Sequence, residues 1–312
     1  MQNEFLVQDA ERLRLKARIG LTGPTNSGKT YTALIIAKGL LQGDHDNVDW
    51  SKVGIVDSER KRSLFYANDG TFGKFKFIDL TPPYSPDRYK AAIQALLDAG
   101  CEVIIIDSIT HAWSGTGGVL DIVNQRTSNS SSKNSYKDGW GGVDGGSAQQ
   151  NALIDFIMSI DAHTICTFRS KMESVMEKDE GTGRTNIRKV GLKPIQRDDL
   201  EYEFDITLDL DKDTHSAHVT KNTVQFIDSK KADLGPITEE FGKDLALYLD
   251  KGVDPETIKQ AQLQHAKEVI VSLVKDSPMN EAICKTILKD QKLKDINDLS
   301  LLNEIIRKIK GE

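Results

Sequence analysis

Apolar and polar positions follow two rhythms through the first half of the chain. Short, predominantly apolar runs at 18–22, 53–57, 75–80 and 102–107 are separated by stretches of helical periodicity at 31–41 and 87–97. Runs of that length read as strands covered on both faces, and strands alternating with helices predict a mostly parallel sheet with crossover helices. Gly43 supplies a stop for the first helix, while Ser85-Pro86 supply an N-cap and a first-turn proline for the second. A further helix is expected at 147–160 and a further strand at 164–168. Runs of alternating character at 204–210, 217–221 and 224–227, separated by turns, predict an antiparallel extension of the sheet. Between these patterns, 113–146 is rich in Gly, Ser and Asn and is expected to be a long loop. From Asp254 onward the periodicity is helical in three short stretches, one broken by Pro278. The expected organisation is an N-terminal segment at 1–16, an α/β core at 17–251 and a small helical domain at 252–312.

Composition narrows the class. The chain has 312 residues, 28% of them charged, with a net charge of −6. No stretch approaches the eighteen or so apolar residues of a membrane span, and the opening residues lack a basic region followed by an apolar run. The expectation is a cytoplasmic protein without a membrane partner. A negative net charge argues against a surface coated for nonspecific nucleic-acid binding, so any such contact is expected to be local. Cys101, Cys166 and Cys284 show no paired spacing, and neither a disulfide framework nor a zinc site is expected.

The strongest chemical signal is Gly23-Pro24-Thr25-Asn26-Ser27-Gly28-Lys29-Thr30, which fits the phosphate-loop pattern G-x-x-x-x-G-K-[ST] between an expected strand and an expected helix. Glycines let the backbone curl so that successive N–H groups and the helix N-terminus face phosphate oxygens. Lys29 is placed to meet the β- and γ-phosphates of ATP and Thr30 to hold Mg2+, and Tyr31 directly follows the loop. Val103-Ile104-Ile105-Ile106-Asp107 has the form of a Walker B strand whose aspartate joins Thr30 at the metal. Ile55-Val56-Asp57-Ser58-Glu59 ends in acids on the same sheet edge. Glu59 is the carboxylate best placed to orient water at the γ-phosphate; the alternative is a solvated glutamate paired with Arg60 or Arg62.

These three motifs, in this order, resemble the RecA-like ATPases, in which a glutamate after the strand following the phosphate-loop helix activates water. The segments Ile104-Ile105-Ile106-Asp107-Ser108-Ile109-Thr110-His111-Ala112-Trp113, Thr167-Phe168-Arg169-Ser170-Lys171 and Gln196-Arg197-Asp198-Asp199-Leu200-Glu201-Tyr202-Glu203-Phe204-Asp205 look like a family of bacteriophage-encoded AAA-type ATP-binding proteins, over about residues 15–230. The resemblance implies a RecA-like core and a homo-oligomer or filament. Some relatives accompany phage single-strand annealing systems. That implies single-stranded DNA as a partner, a role in recombination, annealing or repair, and phage recombination proteins contacting the helical domain. Arg169 stands where the RecA-like proteins carry a γ-phosphate-sensing glutamine. It is either a sensor or a structural partner of Glu201 or Glu203.

The resemblance also aligns 113–146 and 170–199 with two DNA-contacting loops. Trp113, Tyr136 and Trp140 in the first are candidates for base stacking. In the second, 181–197 carries Arg184, Arg188, Lys189, Lys193 and Arg197 without an acid. Such a run either follows a phosphate backbone or is a solvated hairpin. Lys221 looks like the lysine of the RecA-like family that reaches the neighbouring protomer's γ-phosphate; the alternative is a lysine at a hairpin turn. The histidines show no ligand spacing and receive no role. Two competing functions remain open: an ATP-gated adaptor that loads a helicase or nuclease, and a small-molecule P-loop kinase, which the lack of a compact arginine-rich lid disfavours.

Overall fold

A computed structural model describes residues 10–42, 47–130, 134–178, 185–197, 200–224, 226–228, 231–289 and 291–311, the side chains of 172–192, 201 and 276 lying outside that description. The chain divides into two compact units. One is Lys16–Leu249; the other joins the described residues before Lys16 with those from Asp250 onward.

The larger unit is an α/β layered structure. Its strands are β1 (Arg18–Gly23), β2 (Val53–Asp57), β3 (Lys76–Asp79), β4 (Val103–Asp107), β5 (His163–Lys178), β6 (Thr185–Pro194), β7 (Ile206–Leu210), β8 (Ser216–Asn222) and β9 (Asp233–Pro236). They form a nine-stranded sheet in the order β3-β2-β4-β5-β1-β7-β8-β9, with β6 paired to β5. From β3 to β7 every pairing along this order is parallel, and β8 and β9 add the expected antiparallel extension. The helices of this unit are α1 (Lys29–Gln42), α2 (Pro86–Asp98), α3 (Thr110–Ser114), α4 (Val119–Asn129), α5 (Ser135–Trp140), α6 (Gly146–Ser159) and α7 (Glu239–Leu249).

Side-chain alternation explains why the central strands are apolar throughout. On β4, Val103 and Ile105 join the core that holds α1 and α7, whereas Ile104 and Ile106 join the core that holds α2 and α6. Each of these residues is fully buried, a contribution of about 1.5–3 kcal/mol apiece. The first polar side chain therefore falls at the strand's carboxyl end. Register aligns those ends: Asp57 pairs with Asp107, and Gly23 pairs with Arg169. The phosphate loop and the acidic strand ends thus share one edge.

Three segments differ from expectation. The described residues of 113–146 are largely helical, not a loop, holding the end of α3, then α4 and α5. Val119 and Val123 anchor α4 in the interior, and a Cβ on Gly139 would lie 2.4 Å from Thr127 Oγ1, so glycine here serves close packing. Within 170–199, which the resemblance aligns with a loop, the described residues 170–178 and 185–194 pair as an antiparallel hairpin of β5 and β6, the hairpin alternative for the cationic run. The described residues of 224–227 make a turn instead of a strand, because Val224, Phe226 and Ile227 pack into the core; the third antiparallel strand is β9.

The smaller unit contains α8 (Pro255–Asp276), α9 (Pro278–Leu288) and α10 (Leu299–Lys310). Asp254, Ser277 and Asp298 cap them, each side chain accepting a backbone N–H two residues on. Leu263, Ile270, Leu288, Leu302 and Ile305 form its core. Among the described residues no helix is long and apolar enough to cross a membrane.

Candidate nucleotide site

The phosphate loop turns out of β1 in a conformation that its glycines permit. Gly23 has φ 149° and Gly28 has φ 88°, and a Cβ on Gly23 would lie 2.5 Å from Ser27 Oγ and 2.8 Å from the Leu210 carbonyl. Lys29 Nζ donates to the carbonyls of Gly23 at 2.8 Å and Pro24 at 2.7 Å, which suspends the ammonium over the loop. Burial lowers the Lys29 pKa despite the opposing charges of Asp107 and Glu59. Ser27 Oγ is buried without a hydrogen-bond partner among the described residues. An orphaned hydroxyl and a cradle that any Cβ would fill are what a phosphate-binding loop requires.

Asp107 closes the far side of this loop. Its Oδ2 accepts the Thr30 hydroxyl at 2.5 Å and its Oδ1 the Thr167 hydroxyl at 2.6 Å. Burial raises its pKa, and those two hydrogen bonds only partly offset the cost of keeping it charged. A hydroxyl and a buried carboxylate beside the phosphate loop form an oxygen donor pair suited to Mg2+.

Glu59 lies beside them and is the most tightly held carboxylate of the cleft. Arg169 Nε donates to its Oε1 at 2.6 Å, Arg169 Nη2 pairs with its Oε2, and Ser108 Oγ donates to Oε1 at 3.0 Å. Burial alone would raise the Glu59 pKa; the hydrogen bonds and charge of Arg169, with help from Ser108, overcome that and hold it below its ordinary value. Asp57 fixes the following turn by accepting the backbone N–H groups of Glu59 at 2.6 Å and Ser63 at 3.0 Å. Glu59 therefore pairs with Arg169, not with Arg60 or Arg62, and Arg169 pairs with Glu59, not with Glu203, the Glu201 side chain lying outside the described residues. His111, left without a role by the sequence, bonds through Nδ1 to Ser58 Oγ at 2.8 Å and stacks on Tyr84.

Thr25, Asn26, Gly28, Lys29, Thr30, Tyr31, Glu59, Asp107 and Arg169 line one cavity of about 680 Å3, within the range of small-molecule sites. Gly23 and Pro24 contribute through their carbonyls. Sequence reasoning missed its outer walls: Arg62, Phe65 and Tyr66 on one side, Thr214, His215, Pro236 and Ile237 on the other. Phe65 is 85% exposed, and Tyr66 meets Tyr31 edge-on at 5.9 Å, so aromatic surface flanks the cleft where a base would lie. An apolar Leu64-Phe65-Tyr66 run outside any strand was the available signal. Nothing local marks His215, whose position follows from β7 pairing with β1.

The other candidates lie elsewhere. Trp140 packs against Trp113 at 5.8 Å and Tyr136 at 6.3 Å, and Tyr136 is 68% exposed. Arg184 lies outside the described residues; Arg188 and Lys189 are on β6 opposite Val175 and Ser174, and Lys193 is opposite Lys171. Lys221, opposite Thr207 on β7, donates to the Tyr202 carbonyl and stands toward the sheet edge away from its own phosphate loop.

A family model described as an AAA domain matches residues 15–234, more than half of the chain. No curated protein matched. The matched span takes in the phosphate loop, Asp107, Glu59 and Arg169, and the chain belongs to the AAA-domain family of P-loop ATPases.

Proposed function

We propose that the protein is a magnesium-dependent ATPase that assembles as a homo-oligomer on single-stranded DNA and couples turnover to that DNA in recombination, annealing or repair. The observation that carries this reading is the Glu59–Arg169 pair. Glu59 belongs to the nucleotide cleft, and Arg169 is the residue at which β5 leaves the parallel sheet and enters its hairpin with β6. Ser170, next in sequence, accepts the Gly23 N–H at 3.0 Å, so the hairpin's root touches both the phosphate loop and the acid.

The chemistry follows from these residues. Backbone N–H groups of 25–30 and Lys29 hold the phosphates of ATP, and Thr30 and Asp107 are the residues that would hold Mg2+. When bound, Mg2+ neutralises charge on the β- and γ-phosphates. Glu59, kept ionised by Arg169 and Ser108, accepts a proton from the attacking water as the bond between the γ-phosphorus and the bridging oxygen breaks and ADP leaves. While Arg169 occupies both carboxylate oxygens, Glu59 is a poor base; DNA on the hairpin shifts Arg169 toward the γ-phosphate and frees it. Lys221, remote from its own phosphate loop, is the cation this reading assigns to a neighbouring protomer's site. The helices from Pro255 onward are the surface assigned to protein partners.

Glu59→Gln tests the assignment. Nucleotide binding is expected to persist while hydrolysis slows about a hundredfold or more. Unchanged turnover would remove Glu59 from the mechanism.

A further inference from the structure

Gln150 sits in the second turn of α6, 1% exposed, and among the described residues neither Nε2 nor Oε1 of its amide has a hydrogen-bond partner. Buried side-chain amides are nearly always paired, because leaving both ends unsatisfied costs more than a single lost hydrogen bond. The amide lines a separate cavity of about 340 Å3 whose walls include Ile154 and Leu200, each 6% exposed, and whose rim carries Arg197. Arg197 Nη1 donates to Asn151 Oδ1 at 2.7 Å. Asn151 also lines the neighbouring depression, which Trp140 and Tyr136 form. None of these residues contributes to the nucleotide cleft.

We propose that this cavity receives a nucleobase of single-stranded nucleic acid, read at its edge by the Gln150 amide. The inference rests on the nucleic-acid coupling proposed above and names where a base is held. A primary amide presents a donor and an acceptor side by side in one plane, and a nucleobase edge presents the complementary pair. A trans peptide cannot do so, since its N–H and C=O point in opposite directions. A free anion is disfavoured because Asp155 and Glu203 stand at the same cavity. Ile154 and Leu200 supply apolar surface for the faces of a flat ring. The strand has a path on either side: β6, with Arg188, Lys189 and Lys193, ends three residues before Arg197, and Trp140 and Tyr136 offer stacking surface next to Asn151.

The test measures binding of a labelled oligothymidylate and of an abasic strand of equal length, at one stated salt concentration, to the intact chain and to Gln150→Met. The intact chain is expected to prefer the base-bearing strand by about tenfold or more, the worth of one bidentate base contact. Gln150→Met is expected to lose about that factor for the oligothymidylate only, and to melt no lower than the intact protein without DNA, because it replaces an unpaired amide by an apolar group of similar length. If that variant does not fold, Gln150→Leu serves the same comparison. Equal binding of both strands by the intact chain would overturn the pocket and leave the nucleic-acid coupling standing. A base preference that survives in the variant would overturn Gln150's part, and binding of neither strand would overturn both readings.

Discussion

His163 opens β5 with its Nδ1 accepting the Ala17 N–H at 3.0 Å, and burial, then Lys16 and Arg18, push its pKa down to about 3. Below its ordinary value near 6.5 the unfolded chain takes up a proton that the folded chain refuses, so stability falls as pH falls through that window. The slope reaches about 1.4 kcal/mol per pH unit. His163→Gln keeps an acceptor for Ala17 but cannot titrate, and thermal melts across that window are expected to show a flatter acid limb; an identical limb would mean that His163 is not the group responsible. The carboxylates divide by their partners: an arginine holds Glu59 below its ordinary pKa, while two hydroxyls leave Asp107 above its own. Residue types were legible where spacing along the chain dictates chemistry, as from Gly23 to Thr30. The Arg169–Glu59 pair was not, since its members lie 110 positions apart and only the sheet order β2-β4-β5 brings them together.

Elements were legible where an unbroken apolar run ends in an acid, because a strand covered on both faces is nearly continuous in apolar residues; β2 and β4 are such strands. They were illegible where composition stood in for pattern. Gly139 and Gly146 made 113–146 read as loop, yet a Cβ at either would strike Val123, so they let helices approach. The hairpin of β5 and β6 was legible only as one of two alternatives for the cationic run, because its sequence lacks the apolar alternation by which strands are recognised. Gly39, on α1, marks a similar approach: a Cβ there would lie 2.1 Å from the Glu239 carbonyl and 2.7 Å from Gly242 Cα on α7. Backbone cannot yield as a side chain does. Gly39→Ala is therefore expected to lower stability by about 1–3 kcal/mol, more than alanine's helix propensity returns, read as a lower thermal midpoint. A higher midpoint would mean that α1 and α7 are not packed this tightly.

At the scale of the whole molecule, one sheet edge gathers the phosphate loop, Asp107, Glu59 and the root of the hairpin. On the proposed reading a net charge of −6 leaves nucleic-acid contact to local groups, and β6, which carries Arg188, Lys189 and Lys193 and pairs with the part of β5 that follows Arg169, is such a group. The proposed coupling needs no long path, since Arg169 lies on the strand that enters the hairpin and bonds Glu59, the proposed base. Releasing Glu59 is worth about tenfold in rate for every 1.4 kcal/mol by which the pair holds it back. The most direct measurement is magnesium-dependent ATP hydrolysis by the full chain as single-stranded DNA is titrated at one stated salt concentration. The rate is expected to rise by about tenfold or more to a plateau as DNA saturates the protein. A rate that DNA leaves unchanged, or no hydrolysis at any DNA concentration, would contradict the coupling of this site to DNA.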